Sequence, residues 1–139
     1  MAGPIILGYD GSDCAKAALD QTIILAGALQ ADVVVAFGYA SNPMGGETQD
    51  EELAIRGMGE ALASEAVTKL QAAGIDTSVE LVHDRPAQSI LRVADEHAAI
   101  LIVVGNHGES PMLGAILGSV PHKLLHRATV PVLVVPAKD

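Results

Sequence analysis

The chain has 139 residues, half of them apolar and 18% charged, with 8 Lys+Arg against 17 Asp+Glu and a formal charge of −9. That length suits one domain over residues 1–139, and the apolar fraction excludes a disordered solvating chain. The acidic balance argues against a nucleic-acid binder, which needs a basic face to neutralise phosphates.

The single cysteine, Cys14, makes no internal disulfide and anchors no Cys-rich zinc site. No basic start followed by an apolar run and a cleavage site marks a signal peptide. The longest aliphatic run, residues 98–104, is far shorter than a membrane span. The expectation is a soluble, cytoplasmic domain with neither membrane nor nucleic acid as partner.

Aromatic residues make up 2% of the chain, so the core is expected to be built of Ala, Val, Ile and Leu. The first apolar run, residues 4–9, is continuous rather than alternating, as in a strand covered on both faces. Ser12 then precedes the Ala-rich stretch Asp13–Leu29 and predicts a capped helix. Residues 32–39 repeat the continuous apolar pattern. Residues 40–49, rich in Gly, Asn and Pro, predict a long mobile loop. A long helix is predicted over 50–73, with Asp50, Glu51 and Glu52 at its favourable end and Gly74 as a left-handed cap. Gly57 and Gly59 predict a frayed or irregular first half for it.

Residues 76–82 alternate, with Val79 and Leu81 in phase, as a further strand. Pro86 opens a helix over 86–98 from the first turn, where its missing N–H costs nothing. Residues 100–104 and 130–135 are two more continuous apolar runs. Between them a helix over 119–128 opens at Ser119, with Pro121 in its first turn. The order β-α-β-α-β-α-β-α-β predicts a parallel α/β sheet with right-handed crossovers.

Ligands of such sheets sit outside the carboxyl ends of the strands. The first strand ends in Asp10-Gly11-Ser12 and the fourth in Gly105-Asn106-His107-Gly108. Gly118-Ser119 opens the last helix. Glycines admit close backbone approach, and a helix start offers N–H groups and the positive dipole end to phosphate. From 98 to 138 the only acid is Glu109, whereas Lys123, Arg127 and Lys138 are basic. A non-acidic stretch therefore lies beside the candidate phosphate cradle.

Other chemistries fit less well. Ser12, Ser110 and Ser119 have no His and acid partners assignable from spacing, so no catalytic triad is assigned. Gly-Lys-Ser/Thr and G-x-G-x-x-G are both absent, which argues against a P-loop ATPase and a nicotinamide enzyme. His122 and His126 share a helix face, a spacing that can bind metal, but no third ligand or adjacent Glu is visible and no metal site is assigned. His83-Asp84-Arg85 reads as a polar loop and Cys14 as a small packing residue; Met112 covers a ligand or simply packs. A phospho-acceptor receiver would need Asp10 with Asp13, an acceptor at Asp84 and a lysine at Lys138, at poor spacing.

The spacing Gly105-x-x-Gly108, nine residues, then Gly118-Ser119 resembles the nucleotide-binding signature of the universal stress protein family, in its ATP-binding branch. The resemblance covers essentially the whole chain. It takes in Tyr9-Asp10-Gly11-Ser12, Arg85-Pro86-Ala87, Ile102-Val103-Val104-Gly105 and the closing Val130-Pro131-Val132-Leu133-Val134-Val135. It implies a doubly wound, Rossmann-like five-stranded parallel sheet of order 3-2-1-4-5 with helices on both faces. It also implies homodimers that pair through the last strand, Val132–Val135, and ATP at the carboxyl edge.

Carried over by motif, Asp10 meets the ribose or adenine side and Gly38 offers backbone to the adenine. Val104 and Gly105 line the sugar, and Gly108, Gly118, Ser119 and Val120 surround the phosphates. Asn106 and His107 stand where a small hydroxyl residue and Arg are frequent. Protonation of His107 would partly restore the missing charge, so affinity would rise as pH falls. Pro121 replaces a frequent Ser or Thr, Ile100 a common acid and Gly38 a usual Val. Phosphate binding is therefore expected to be weaker than in typical ATP-binding members, with ADP or AMP open as ligands.

The function implied is a dimeric, adenine-nucleotide-binding (ATP) regulatory protein of the stress response. Mg²⁺ would bridge the phosphates, and ordering of residues 105–117 or a dimer change would signal occupancy. No residue is positioned as a base, so hydrolysis would be slow at most. The alternative is a dimeric scaffold of the same fold that binds no nucleotide and acts through an unknown protein partner.

Overall fold

The computed structural model describes residues 3–39, 49–107 and 118–138. Five strands and four helices alternate: β1 (Ile5–Gly8), α1 (Asp13–Leu29), β2 (Val33–Gly38), α2 (Gln49–Ala72), β3 (Thr77–Val82), α3 (Pro86–Glu96), β4 (Leu101–Gly105), α4 (Ser119–Arg127) and β5 (Val132–Val135). The sheet is parallel throughout, with the order β3-β2-β1-β4-β5. Ile5 pairs with Val33 on one side and Leu101 on the other, so β1 is the central strand.

The continuous apolar runs follow from burial on both faces. Ile5 and Leu7, with Val33, Val35, Val103 and Val135, pack under Leu19 and Ala26 of α1 and Ala66 and Leu70 of α2. Ile6, with Val34, Ala36, Ile102 and Val104, packs under Ile90 and Val93 of α3 and Leu124 of α4. Each Ile or Leu so buried contributes roughly 1.5–3 kcal/mol against exposure. β3 lies at the sheet's edge, and of its two in-phase apolar residues Val79 is exposed and Leu81 half-buried, so the alternation read from the sequence does not mark a buried face.

Helix ends follow local chemistry. Ser12 caps α1 by accepting the Ala15 N–H at 3.1 Å. Beyond α2, Gly74 takes φ +79°, and the Ile75 N–H reaches back to the Leu70 carbonyl at 3.1 Å. This is the left-handed closure anticipated for that glycine. Ala98 closes α3 in the same way at φ 50°, and Gln30 follows α1 at φ 53°. Neither is a glycine, and neither closure was expected from sequence. With the chain reversed at Ala98, α3 stops at Glu96, short of the expected residue 98.

The anticipated irregular start of α2 is not found: the helix runs unbroken through Gly57 and Gly59. A Cβ at Gly59 would run into the Phe37 ring, so this glycine lets α2 lie close over β2. The expected loop over 40–49 falls, up to residue 48, outside the described residues; residue 49 already belongs to α2.

Candidate functional site

The doubly wound order places the carboxyl ends of β1 and β4 side by side while their following helices leave on opposite faces of the sheet. A crevice opens at that point of reversal. Here it is a cavity of about 420 Å³, within the usual range for small-molecule sites.

The turn after β1 supplies Asp10. Its Oδ1 accepts the Ser12 N–H at 3.0 Å, and Gly11, at φ +80°, turns the chain into α1. The aspartate thus shapes the turn and also lines the cavity.

Gly105 ends β4 against the first turn of α1. A Cβ there would come within 2.6 Å of Cys14 Cβ and 2.7 Å of its carbonyl carbon, so any side chain would push α1 away. Asn106 then donates its N–H to the Val135 carbonyl at 2.9 Å and accepts the Gly118 N–H at 2.8 Å. That second bond sets the start of α4 beside the end of β4. A Cβ on Gly118 would stand 2.9 Å from His107 Cα. Gly118 is the N-cap of α4 and provides no side-chain cap, and the first turn holds no acid.

Among the described residues, all the expected site positions line this one cavity: Asp10, Gly38, Val104, Gly105, His107, Gly118, Ser119 and Val120. Gly108, with Glu109, Ser110, Met112 and the rest of the stretch to residue 117, lies outside the described residues. The apolar wall was not anticipated. Ala36 and Phe37 from β2, and Pro86 and Ile90 from α3, complete the lining. The available signal was positional, since the end of β2 and the first turn of α3 meet on the same edge.

Gly38 also has a steric reason. A Cβ would collide with Ser89 Oγ and approach Pro86 Cα to 2.9 Å, so the start of α3 leaves no room for valine. Ser89 is buried and donates its hydroxyl proton to the Arg85 carbonyl at 2.8 Å.

Cys14 is more than a packing residue. Its thiol donates to Asn106 Oδ1 at 2.9 Å and lies 3.6 Å from His107 Nε2. It therefore sits directly behind two residues of the loop that leaves β4. Tyr9, also on the cavity wall, donates its hydroxyl to Glu65 Oε1 at 2.5 Å. Burial, reinforced by that hydrogen bond and the Glu65 charge, pushes the Tyr9 phenol well above its ordinary range.

Other expected features lie elsewhere. Lys123 and Arg127 do not line the cavity, so they supply no cation at its surface. His83 stacks on Tyr39 with centroids 5.0 Å apart, beside a separate recess of about 260 Å³ that Arg56 also lines. Asp84 pairs with Arg92 at 2.9 Å and Lys138 with Asp20 at 3.2 Å. The carboxylate and lysine that receiver chemistry would need are thus committed to other partners.

Two fits can be judged from the donor set. The apolar wall opposite a glycine-lined helix start suits a molecule with one flat apolar end and one anionic end. For Mg²⁺, Asp10 is the one carboxylate on the described lining, and no group of three ligating side chains converges among the described residues. The described residues build no cage for that ion, which would then be held chiefly by a ligand's phosphates and water. No described helix is long and apolar enough to cross a membrane.

Comparison with known proteins agrees with this architecture. Residues 1–136 match the model of the universal stress protein family. A universal stress protein of Mycobacterium tuberculosis is 31% identical over 138 residues, covering 94% of each chain. A solved universal stress protein of Archaeoglobus fulgidus superposes with a TM-score of 0.79 at 29% identity, covering 97% of this chain and 99% of that one. Another, solved in complex with cAMP, gives a TM-score of 0.76 at 30% identity, covering 99% of this chain and all of that one. The strand order, the reversal point and these matches agree: the chain belongs to the universal stress protein family.

Proposed function

We propose that this chain binds an adenine nucleotide in the cavity at the ends of β1 and β4 and acts as a regulatory module of the stress response. The observation that carries the reading is the convergence of Asp10, Gly38, Gly105, His107, Gly118 and Ser119 on one cavity. The cAMP held by a relative 30% identical to this chain supports the ligand class.

In this reading the base lies against the wall made by Phe37, Gly38, Pro86 and Ile90, with the Gly38 backbone offered to the adenine. Asp10 takes the ribose or adenine side, and Val104 and Gly105 line the sugar. The phosphates meet Gly118, Ser119 and Val120 at the start of α4, together with Gly108 of the loop. Backbone N–H groups and the helix dipole carry the recognition there.

Charge sets the ranking among nucleotides. The chain carries −9, and no Lys or Arg lines the cavity among the described residues. A triphosphate therefore enters as its Mg²⁺ complex, whereas a monophosphate needs no metal. Binding of ATP depends on Mg²⁺, and binding of AMP does not. No described side chain is placed as a base toward an attacking water, so turnover is slow at most.

The assembly proposed is a homodimer in the cytoplasm, paired through Val132–Val135. Among the described residues, β5 pairs only with β4 and its other edge is unpaired, with Val132, Leu133 and Val134 half-buried. Sedimentation at several concentrations tests this.

A second reading, a nucleotide-free dimeric scaffold for a protein partner, is favoured by one observation. Pro121, on the cavity wall in the first turn of α4, removes an N–H that a phosphate would use.

Calorimetric titration with AMP, ADP and ATP, each with and without Mg²⁺, separates the two. Saturable binding of AMP, with ATP binding restored by Mg²⁺, supports the first. No heat with any nucleotide at millimolar concentration supports the scaffold.

A further inference from the structure

The outer surface of α4 carries a feature that nucleotide binding does not use. His122 and His126 are four residues apart on this nine-residue helix, and both are exposed. Their rings already meet, with centroids 4.6 Å apart and planes at 69°. We infer that this pair is a surface site for a borderline transition-metal ion of the Zn²⁺, Ni²⁺ or Cu²⁺ class, held by one nitrogen from each ring.

The geometry fits. Residues at i and i+4 stand one above the other on a helix face, and paired histidines at this spacing are a recurring zinc arrangement. Zn–N bonds of about 2.0–2.1 Å in tetrahedral geometry place two ligand nitrogens roughly 3.4 Å apart. Rings whose centroids lie 4.6 Å apart reach that separation by turning about their own side-chain bonds.

Electrostatics divide. His126 lies in the last turn of α4, where the carbonyl end of the helix dipole favours a cation. Lys123 and Arg127 oppose it, but each lies one residue further round the helix, about 100° away. Because no third ligating group converges among the described residues, water completes the coordination. Such a site takes imidazole-seeking ions and ignores Mg²⁺ and Ca²⁺, which select oxygen. It lies outside the cavity lining, so it is independent of the nucleotide.

The test is calorimetric titration of the full chain with Zn²⁺ and, separately, Ni²⁺. The expected result is saturable binding of one ion per chain. It is weakened at least about tenfold in His122→Ala and again in His126→Ala, and unchanged in His83→Ala and His97→Ala. Both substituted positions are exposed, so helical circular dichroism should match the parent and exclude unfolding as the cause. No binding, or binding that survives the His122→Ala/His126→Ala double variant, overturns the site. Loss in Cys14→Ser with retention in the double variant also overturns it, since the ion then belongs to the Cys14–His107 contact.

Discussion

Two helices begin on the same edge of the sheet, and they begin differently. At α1 the protein closes its own helix end: Ser12 Oγ accepts the Ala15 N–H, and Asp13 places a carboxylate in the first turn. At α4 the cap is Gly118, which has no side chain to offer, and the first turn holds no acid. Both starts border the cavity. The same positive dipole is met by the protein's own groups at one and, in the proposed function, by a ligand's phosphates at the other. In that reading, an anion site is marked by what the sequence withholds from a helix start as much as by the glycines around it.

The largest expected effect comes from filling the open end. Gly118→Val puts a Cβ 2.9 Å from His107 Cα. Nucleotide affinity measured by calorimetry should fall by about 100-fold, roughly 2.7 kcal/mol. Its φ of −65° is ordinary for any residue, but the new Cβ meets backbone, so the turn between β4 and α4 must shift, and urea unfolding of the same variant separates lost binding from lost fold.

A sharper comparison gives α4 the charge α1 already has. Ser119→Asp should raise the stability of α4 by about 0.3–1 kcal/mol while lowering nucleotide affinity about tenfold by repulsion. Opposite signs in urea unfolding and in titration are the signature. If both fall, the α4 end is structural and not a ligand site.

The converse change, Ser12→Ala, removes the cap of α1. Stability should drop by about 1 kcal/mol, with a smaller loss of affinity than Ser119→Asp produces. Equal losses of affinity at the two ends would erase the contrast.

The smallest effect appears only in alkali. The Tyr9 phenol is held above its ordinary value of 10.0 in the folded chain, so the folded state binds this proton more tightly. Its stabilising contribution is complete below pH 10 and is lost as pH rises toward the folded value. Unfolding titrations above pH 10 should show a slope that Tyr9→Phe reduces.

The sequence carried much of this fold. Continuous apolar runs identified β1, β2, β4 and β5 because both faces of the sheet are covered, and Ser12 and Gly74 marked helix ends through chemistry each residue performs alone. What escaped depends on neighbours distant in the chain. Gly59 looked like a weakness of α2 until Phe37 was placed beneath it. Ala98 and Gln30 adopt left-handed backbone that side-chain identity does not announce. At the site, Gly105, Gly118 and Ser119 stood out because loop chemistry is local, whereas Gly38, Val104 and Val120 came only through the family resemblance. The wall of Pro86 and Ile90 and the thiol behind Asn106 depend on how α3 and α1 dock. Lys123 and Arg127 looked relevant by sequence proximity, yet helical phase turns them from the cavity.

The central position of β1 has a consequence for how the molecule assembles. Ile5 meets Val33 after a short excursion of the chain, but meets Leu101 only after most of it has been laid down. Closing the longer loop carries the greater entropy cost and is the slower event. The β1–β4 pairing is therefore the seam of greatest sequence separation in the sheet, with β3-β2-β1 on one side and β4-β5 on the other. The cavity straddles that seam, with Asp10 and Gly38 on one bank and Val104 and Gly118 on the other. Under the proposed function, a nucleotide seated there touches both sides of that seam, so its binding should stabilise the folded chain and slow its proteolysis.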